Sequence, residues 1–460
     1  MTDSTLNPLN FLLPTGPDNR FLFRLVETCG LVSAALIPAF IVYTQLAGRF
    51  PSEVQYGTVL YLGLVAVFCL RPAFKDADGR RTMLDLALNL VLIVGASFAV
   101  VYFTDQYDDI ANMREGLPNQ WDLACYLVGS VVVVFGAHRA EGWLLTGVVL
   151  LAIIYLVFGH VMPGILEHRP FSMNRVLEIS YGYRGIFGVA LGAVVDIVLV
   201  FVILGVTLRL TGAGEFFNDL ALILTRGKRS GPAQCAIIAS AMFGSINGSA
   251  PANVASTGIL TIPMMRRAGY SGRFAGGVEA TASCVGQIMP PVMGVGAFIM
   301  SDVTGIPYIT IMFAAIIPAM LYLFSLSITV SLEASRLKLD PLANETPKWD
   351  RKMISRAALL IIGFGSLLTM LFSGFPATFS GLVASCIILV LAMVLPDTRL
   401  NYQKWFTLAV DSGRDGLSVL LSCAAIGIVI AAITSTGLGI KLNQEITALG
   451  DQNLLAALIL

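Results

Sequence analysis

The sequence predicts an all-α polytopic membrane protein, and three observations lead to that fold class. Of the 460 residues, 56% are hydrophobic and 13% are charged, whereas about a quarter of the residues in an average soluble domain are charged. Long apolar runs recur along the chain, and about 20 such residues cross the hydrocarbon layer as a helix. Two stretches interrupt these runs with polar and helix-breaking residues, which indicates re-entrant helical hairpins and broken helices.

We predict eleven membrane spans. They lie at residues 21–47, 54–72, 83–103, 122–137, 142–160, 183–210, 273–301, 307–332, 355–373, 376–395 and 416–434. Basic residues collect in cytoplasmic loops. The loop after the second span carries Lys75, Arg80 and Arg81, whereas the loop after the third span is acidic. The N-terminus is therefore expected in the cytoplasm, and the expected location is the inner membrane.

Composition also excludes several classes of function. The formal net charge is zero, which argues against a nucleic-acid partner. The seven cysteines all lie in apolar segments with no CxxC pair, so they are interpreted as small buried hydrophobes. No nucleophile–base set, phosphate loop or zinc spacing is present in the sequence, so we expect neither an enzyme nor a cofactor.

The apolar run 231–265 predicts a re-entrant helical hairpin. Basic clusters flank it on both sides, at 225–231 and 265–273, and one crossing would place one of them on the wrong side of the membrane. Gly248 and Pro251 near its middle break a helix. Two half-length helices that return to the same side satisfy both constraints, with the tip at SINGSAP. The alternative is one long kinked helix.

The next span, 273–301, predicts a broken helix. Pro290 and Pro291 both lack an N–H and disrupt the preceding turn, and several glycines loosen the segment further. The carbonyls freed by the prolines need other partners. A simple proline kink is the alternative, but the polar hairpin immediately before this span favours a discontinuous helix.

An internal repeat relates the two halves of the second part of the chain. TGAGEFFN at 211–218 recurs as TGLGIKLN at 436–443, an offset of 225 residues. Five predicted spans separate the motifs, so they face opposite sides of the membrane. Inverted repeats with broken helices are typical of secondary transporters. Segment 402–416 is predicted to be an interfacial helix, with its repeat counterpart at 175–185.

The same offset predicts a second hairpin at about 456–490, beyond Leu460. On this interpretation the sequence stops within the second repeat, and the rest of that repeat lies outside it.

The segment FGSINGSAPANVASTGILTIPMMRRAGYSGRFAGGVEATASCVGQIMPPVMGVGAFIM, residues 243–300, resembles the large membrane subunit of tripartite ATP-independent periplasmic (TRAP) transporters. It is most similar to the fused permeases, with four and twelve spans, that work with TAXI-type binding proteins. The resemblance implies sodium-driven import of a small organic acid delivered by an extracytoplasmic binding protein. It also implies an elevator movement of the hairpin-containing part. Because one chain would supply both membrane subunits, a monomeric permease is expected.

The resemblance and the spans together predict five regions. They are a four-span domain like the small subunit (1–140), a connecting helix and extracytoplasmic linker (141–182), a first repeat with the hairpin and the broken helix (183–335), a cytoplasmic loop (336–354) and an incomplete second repeat (355–460).

The hairpin tip and the helix break together predict a sodium site. Sodium is a hard ion that prefers oxygen ligands, and unwound carbonyls and helix C-terminal ends supply them. The candidate ligands are Ser245, Asn247, Gly248 and Ser249 at the tip, and Gly286, Gln287, Ile288 and Met289 at the break. The alternative for the tip is polar packing between helices.

An anionic substrate could be met by the helix N-termini that follow each break, near 252–254 and 292–294. The candidate substrate-lining residues are Asn253, Pro251, Pro290 and Pro291. Glu279 and Asp196 are possible coupling residues because ionisable groups inside spans are functional candidates. Structural pairing is the alternative for both, and sodium versus proton coupling stays open.

The main rival to a tripartite system is a stand-alone sodium- or proton-coupled carboxylate carrier that needs no binding protein. Such carriers also use polar hairpin tips and inverted repeats. The additional four-span N-terminal region argues against this alternative.

Overall fold

The computed structural model describes residues 19–74, 82–341 and 349–452, and the regular secondary structure of these residues is all helical. Its α-helices are α1 (Asn19–Ala47), α2 (Ser52–Leu70), α3 (Met83–Asp105), α4 (Tyr107–Asn112), α5 (Gln120–Glu141), α6 (Trp143–Phe158), α7 (Met173–Tyr181), α8 (Val189–Ala193), α9 (Leu199–Leu210), α10 (Ala213–Thr225), α11 (Gly231–Asn247), α12 (Ala250–Arg267), α13 (Gly272–Cys284), α14 (Val295–Thr304), α15 (Tyr308–Arg336), α16 (Arg351–Phe372), α17 (Ala377–Val394), α18 (Tyr402–Thr436) and α19 (Leu438–Gln452).

Ten helices in the described residues are long and apolar enough to cross a membrane. They are Leu22–Ala47, Ser52–Leu70, Met83–Asp105, Gln120–Glu141, Trp143–Val161, Val189–Leu210, Tyr308–Arg336, Arg351–Phe372, Ala377–Val394 and Tyr402–Thr436. This confirms the predicted class of an all-α polytopic membrane protein. The eleventh predicted span, 273–301, is absent from this set because it is divided into two shorter helices, α13 and α14.

The hairpin predicted at 231–265 is present as two helices. Gly248 ends α11 in the left-handed region at φ +60°, and Pro251 lies in the first turn of α12, where its missing N–H costs no helical hydrogen bond. The arms fold back on each other, because the Ser240 and Thr257 hydroxyls are 3.1 Å apart. The single kinked helix is therefore excluded, while re-entry from one membrane side remains a prediction.

The helix predicted at 402–416 is present, but it is not separate from the span that follows, and its location at the membrane interface stays a prediction. Residues 402–436 form one continuous helix, α18. Two acidic residues of this segment are paired: Arg209 on α9 lies 3.1 Å from Asp411 and 3.0 Å from Asp415 on α18. Because the two carboxylates are one helical turn apart, a single guanidinium contacts both.

The two copies of the repeated motif have the same local structure. Thr211 and Thr436 each donate to the carbonyl four residues earlier, at 3.0 Å and 2.7 Å. The glycine that follows each of them, Gly212 or Gly437, has positive φ, +98° and +70°, and a new helix begins at the next residue. A helix end that requires glycine thus occurs twice at the predicted offset.

The described residues fall into two compact units. The first comprises those within Met1–Phe40, Ala47–Val195 and Gly416–Leu460, and the second those within Ile41–Leu46 and Asp196–Asp415. The hairpin, α13, α14 and α15 all belong to the second unit. Several residues used in the sequence analysis, including Lys75, Arg80, Arg81 and the chain from 453 onward, lie outside the described residues.

The first unit has an aromatic core. Tyr181 meets Phe103 edge-on, with ring centroids 5.3 Å apart, and packs on Phe187 at 5.4 Å. Tyr181 also lies directly on Gly129 of α5. At another point of this unit, Arg139 donates to Asn89 at 2.6 Å and lies 3.7 Å from Asp85.

Gly129→Ala is expected to lower the thermal unfolding temperature of the purified protein. A Cβ at this position would lie 2.0 Å from Tyr181 Cε2, and overpacking of this kind costs about 1–3 kcal/mol. The control is Gly147→Ala on α6, where the added Cβ meets nothing within 4 Å. Equal unfolding temperatures for the two variants would contradict the prediction.

Candidate ion and substrate site

The hairpin tip is a tight turn stabilised by its own polar side chains. Asn247 Oδ1 accepts a hydrogen bond from the Ser249 backbone N–H at 2.8 Å, which closes the turn locally. The Ser245 hydroxyl donates to the Met242 carbonyl at 2.7 Å. Because the single proton of that hydroxyl is donated to a carbonyl of α11, the lone pairs of its oxygen remain available to a cation.

The tip lies directly against the helix break. A Cβ added at Gly286 would be 2.7 Å from Gly244 Cα, and one added at Gly248 would be 2.0 Å from the Met293 carbonyl oxygen. The Val292 N–H donates to the Ser245 carbonyl at 3.2 Å. The two irregular segments therefore touch through their backbones, which only glycine allows at the two closest points.

The break itself spans residues 288–294. The 3₁₀ turn Val285–Gln287 precedes it, and Gly294 N–H donates back to the Gln287 carbonyl at 2.8 Å. Met293 has φ +57°, a conformation that costs energy for a residue with a side chain. The buried Tyr308 hydroxyl lies 2.7 Å and 2.8 Å from the Pro291 and Val292 carbonyls, so α15 supports the loop.

The structure brings the two groups of predicted ion ligands together. Ser245 and Gly248 at the tip contact residues of the break, and Gly286 and Gln287 lie on the break side of the same contact. Ile288 and Met289 follow in the irregular segment, and both of their N–H groups donate to the Val285 carbonyl. Asn247 and Ser249 flank Gly248 and are half-buried. Whether these residues bind an ion stays a prediction.

Helix ends determine the electrostatics of this region. α11 ends at the tip and presents the partial negative charge of its C-terminus, while α12 and α14 begin with no side-chain cap on their N-terminal N–H groups. Helix C-termini attract cations and uncapped N-termini attract anions. Among the described residues, no three or more His, Cys, Asp or Glu side chains form a metal cluster.

The predicted substrate-lining residues have different environments. Pro251 is exposed, Pro290 is half-buried and Pro291 is buried at the break. Asn253 is fully buried inside the hairpin. Its amide donates to the Ser240 carbonyl at 2.7 Å and lies 3.4 Å from the Ser283 carbonyl. In this structure its side chain therefore joins the two arms and α13.

The two possible coupling residues also differ. Glu279 is fully buried and surrounded by hydroxyl groups of both hairpin arms. Asp196 is half-buried and lies in a π-helical turn, Val194–Val198, within the span Val189–Leu210. Such turns are rare and often occur at functional sites. A coupling role for either residue stays a prediction.

Sequence reasoning missed the partners of Glu279 and the support from Tyr308. A signal for the first was present, because Asn253, Thr257 and Thr261 recur every four residues and so form a polar stripe along α12. No such signal existed for Tyr308, whose hydroxyl meets carbonyls 17 and 16 residues earlier in the chain.

Comparison with known proteins supports the resemblance found in the sequence. A family model described as "Tripartite ATP-independent periplasmic transporter, DctM component" matches residues 128–460. The match begins within α5, earlier than the large-subunit region inferred from the motif alone.

Individual relatives are similar over shorter stretches. The 2,3-diketo-L-gulonate TRAP transporter large permease protein YiaN of Escherichia coli (strain K12) is 30% identical over 30% of this chain and 32% of its own length. The C4-dicarboxylate TRAP transporter large permease protein DctM of Pseudomonas aeruginosa is 23% identical over 54% of this chain and 58% of its own length. The isethionate TRAP transporter permease protein DctMQ of Oleidesulfovibrio alaskensis is 34% identical over 20% of this chain and 14% of its own length.

The chain thus spans less than two thirds of the length of each of these relatives. All three are named as transporter permeases and none as an enzyme, in agreement with the prediction that this protein is not an enzyme.

Gly286→Ala is expected to separate the hairpin tip from the break. Its Cβ would overlap the Gly244 backbone, which cannot move aside as a flexible side chain would. We expect a lower unfolding temperature and loss of transport. Gly277→Ala on α13 is the control, because its Cβ meets nothing within 4 Å. If Gly286→Ala matched this control in both measurements, the close contact would not be required.

Proposed function

The chain belongs to the DctM family of tripartite ATP-independent periplasmic transporters, and we propose that it is a sodium-coupled secondary active importer of a small organic anion. We further propose that an extracytoplasmic binding protein delivers the substrate. The membrane in question would be the inner membrane, with the N-terminus in the cytoplasm.

The contact between the hairpin tip and the broken helix carries this proposal. Secondary transporters place substrate and coupling-ion sites where discontinuous helices meet, with carbonyls and helix C-termini for the cation and helix N-termini for an anion. Here one contact brings together the C-terminal end of α11, through the Ser245 carbonyl, and the irregular backbone of 288–294. Uncapped N-termini of α12 and α14 adjoin it.

The relatives support the substrate class. The names of three of them specify 2,3-diketo-L-gulonate, C4-dicarboxylates and isethionate, which are all small organic anions. An anion of this kind could use the N-termini of α12 and α14 without a basic side chain. The proposed substrate-lining residues are Pro251, Pro290 and Pro291; Asn253 is fully buried inside the hairpin in this structure and would contribute by holding its arms together.

Three finer features belong to the same proposal. The first 140 residues would correspond to the small membrane subunit, which makes the permease a fused one of the TAXI type and allows it to work as a monomer. The repeated Thr-Gly motifs, with equal local structure at Gly212 and Gly437, support an inverted repeat. The hairpin, α13 and α14 would then move together as an elevator.

Uptake by the full chain in proteoliposomes tests the proposal. The probes are radiolabelled C4-dicarboxylate, 2,3-diketo-L-gulonate and isethionate, each with and without an extracytoplasmic binding protein. We expect uptake that requires both an inward sodium gradient and the binding protein. Uptake without the binding protein would favour a stand-alone carrier, and uptake driven equally by a proton gradient in sodium-free buffer would contradict sodium coupling.

The double substitution Ser245→Ala with Asn247→Ala is expected to raise the sodium concentration that half-saturates uptake. It removes two neutral oxygens of the proposed ion site but no charge. Ser256→Ala on α12 is the control, because that hydroxyl donates only to the Ala252 carbonyl of its own helix. Unchanged sodium dependence in the double variant, with normal amounts of protein in the membrane, would exclude these side chains as ligands.

A further inference from the structure

A fully buried carboxylate packs between the two arms of the hairpin and α13. Glu279 on α13 has no exposed surface. Four hydroxyl groups contact it: Oε1 is 3.0 Å from Ser240 and 3.5 Å from Ser283, and it also bonds Thr257, while Oε2 bonds Thr261. An ionisable side chain within a membrane protein is costly to bury and is usually retained for a function.

These hydroxyls come from three different helices. Ser240 lies on the first arm of the hairpin, Thr257 and Thr261 lie on the second arm, and Ser283 lies one turn after Glu279 on α13. One carboxyl group thus joins both arms to the helix that leads into the break. The Asn253 amide spans the same three helices through its bonds to the Ser240 and Ser283 carbonyls.

The described residues give Glu279 no salt bridge, so hydroxyl groups alone satisfy it. The other titratable groups on the helices packed around it are Cys235 on α11, Arg266 and Arg267 on α12, Arg273 and Cys284 on α13, and Tyr308, Tyr322, Glu333 and Arg336 on α15. The arginines lie at helix ends, and those of α12 and α13 are exposed. A buried polar network in which every member is satisfied holds its helices in one arrangement.

That arrangement determines the geometry of the proposed ion site. Ser240 is five residues before Ser245 on α11, and Glu279 on α13 is seven residues before Gly286 in the 3₁₀ turn that follows. A shift or rotation of α11 against α13 would therefore displace the tip from the break. Partners outside the ligand shell that orient the ligands affect ion affinity strongly, by about 10- to 100-fold when they are removed.

We propose that Glu279 is a positioning residue for the ion site, which acts by fixing both hairpin arms to α13 through Ser240, Thr257 and Thr261. The inference rests on the proposed sodium site. It adds that the Glu279 side chain maintains the position of the hairpin tip relative to the helix break. Glu279 itself does not contact the ion.

Sodium-dependent thermal stability of the purified full chain tests this role without substrate or binding protein. NaCl is titrated against KCl at constant ionic strength, and the sodium concentration for half-maximal stabilisation is measured. Glu279→Leu is expected to raise it about tenfold or more. Glu279→Gln is expected to stay within about twofold, because its amide can both accept from and donate to the hydroxyls. Glu333→Gln is the matched control, because its carboxylate bonds Arg336 on α15.

Thr261→Val is the second variant, for the case that Glu279→Leu does not fold. Valine is nearly isosteric with threonine, so this substitution removes one hydroxyl group with little change of shape. It too should raise the half-saturating sodium concentration. A folded Glu279→Leu or Thr261→Val protein with wild-type sodium affinity would overturn the inference, even if its unfolding temperature were lower. So would a defect in Glu279→Gln as large as in Glu279→Leu, since charge and not hydrogen bonding would then be responsible. A wild-type protein with no sodium-specific stabilisation would instead refute the proposed sodium site.

Discussion

The second unit depends on one backbone-to-backbone contact, that between Gly244 of the hairpin and Gly286 of the broken helix. At membrane depth, irregular backbone has no water to hydrogen-bond and must be buried in protein or line a cavity. In the proposed re-entrant arrangement the two irregular segments would meet this requirement together, since the Val292 N–H bonds the Ser245 carbonyl across the contact. Any side chain at either glycine would separate them.

The surrounding structure serves to maintain this contact. Tyr308 bonds two carbonyls of the break from α15, and its ring stacks on Phe298 with centroids 4.5 Å apart. Gln234 on the first arm of the hairpin exchanges hydrogen bonds with Ser327 of α15. Glu279 and Asn253 then join both arms to α13. The tip is thus held from several sides by groups that do not belong to the proposed ion site.

This arrangement offers a cation and an anion favourable partial charges without ionised side chains. Helix ends carry partial charges that need no ionised side chain and therefore no counter-ion inside the membrane. Interrupting a helix produces one end of each sign at the same depth. The hairpin tip provides such a pair at α11 and α12, and the break provides the uncapped N-terminus of α14.

The sequence by itself determined the helical membrane class, the hairpin, the interruption near Pro290 and the repeated Thr-Gly ends, because these follow from apolar length, charge bias and helix breakers. All of these signals are local along the chain. The tertiary structure decided that α18 continues through 402–416, where Arg209 from α9 pairs with Asp411 and Asp415 of its polar start. It also decided that Asn253 and Glu279 lie inside the hairpin packing, because their partners come from other helices. Residues far apart in the chain come into contact only when the helices pack. The spacing of residues within one helix does not indicate which other helix it will pack against.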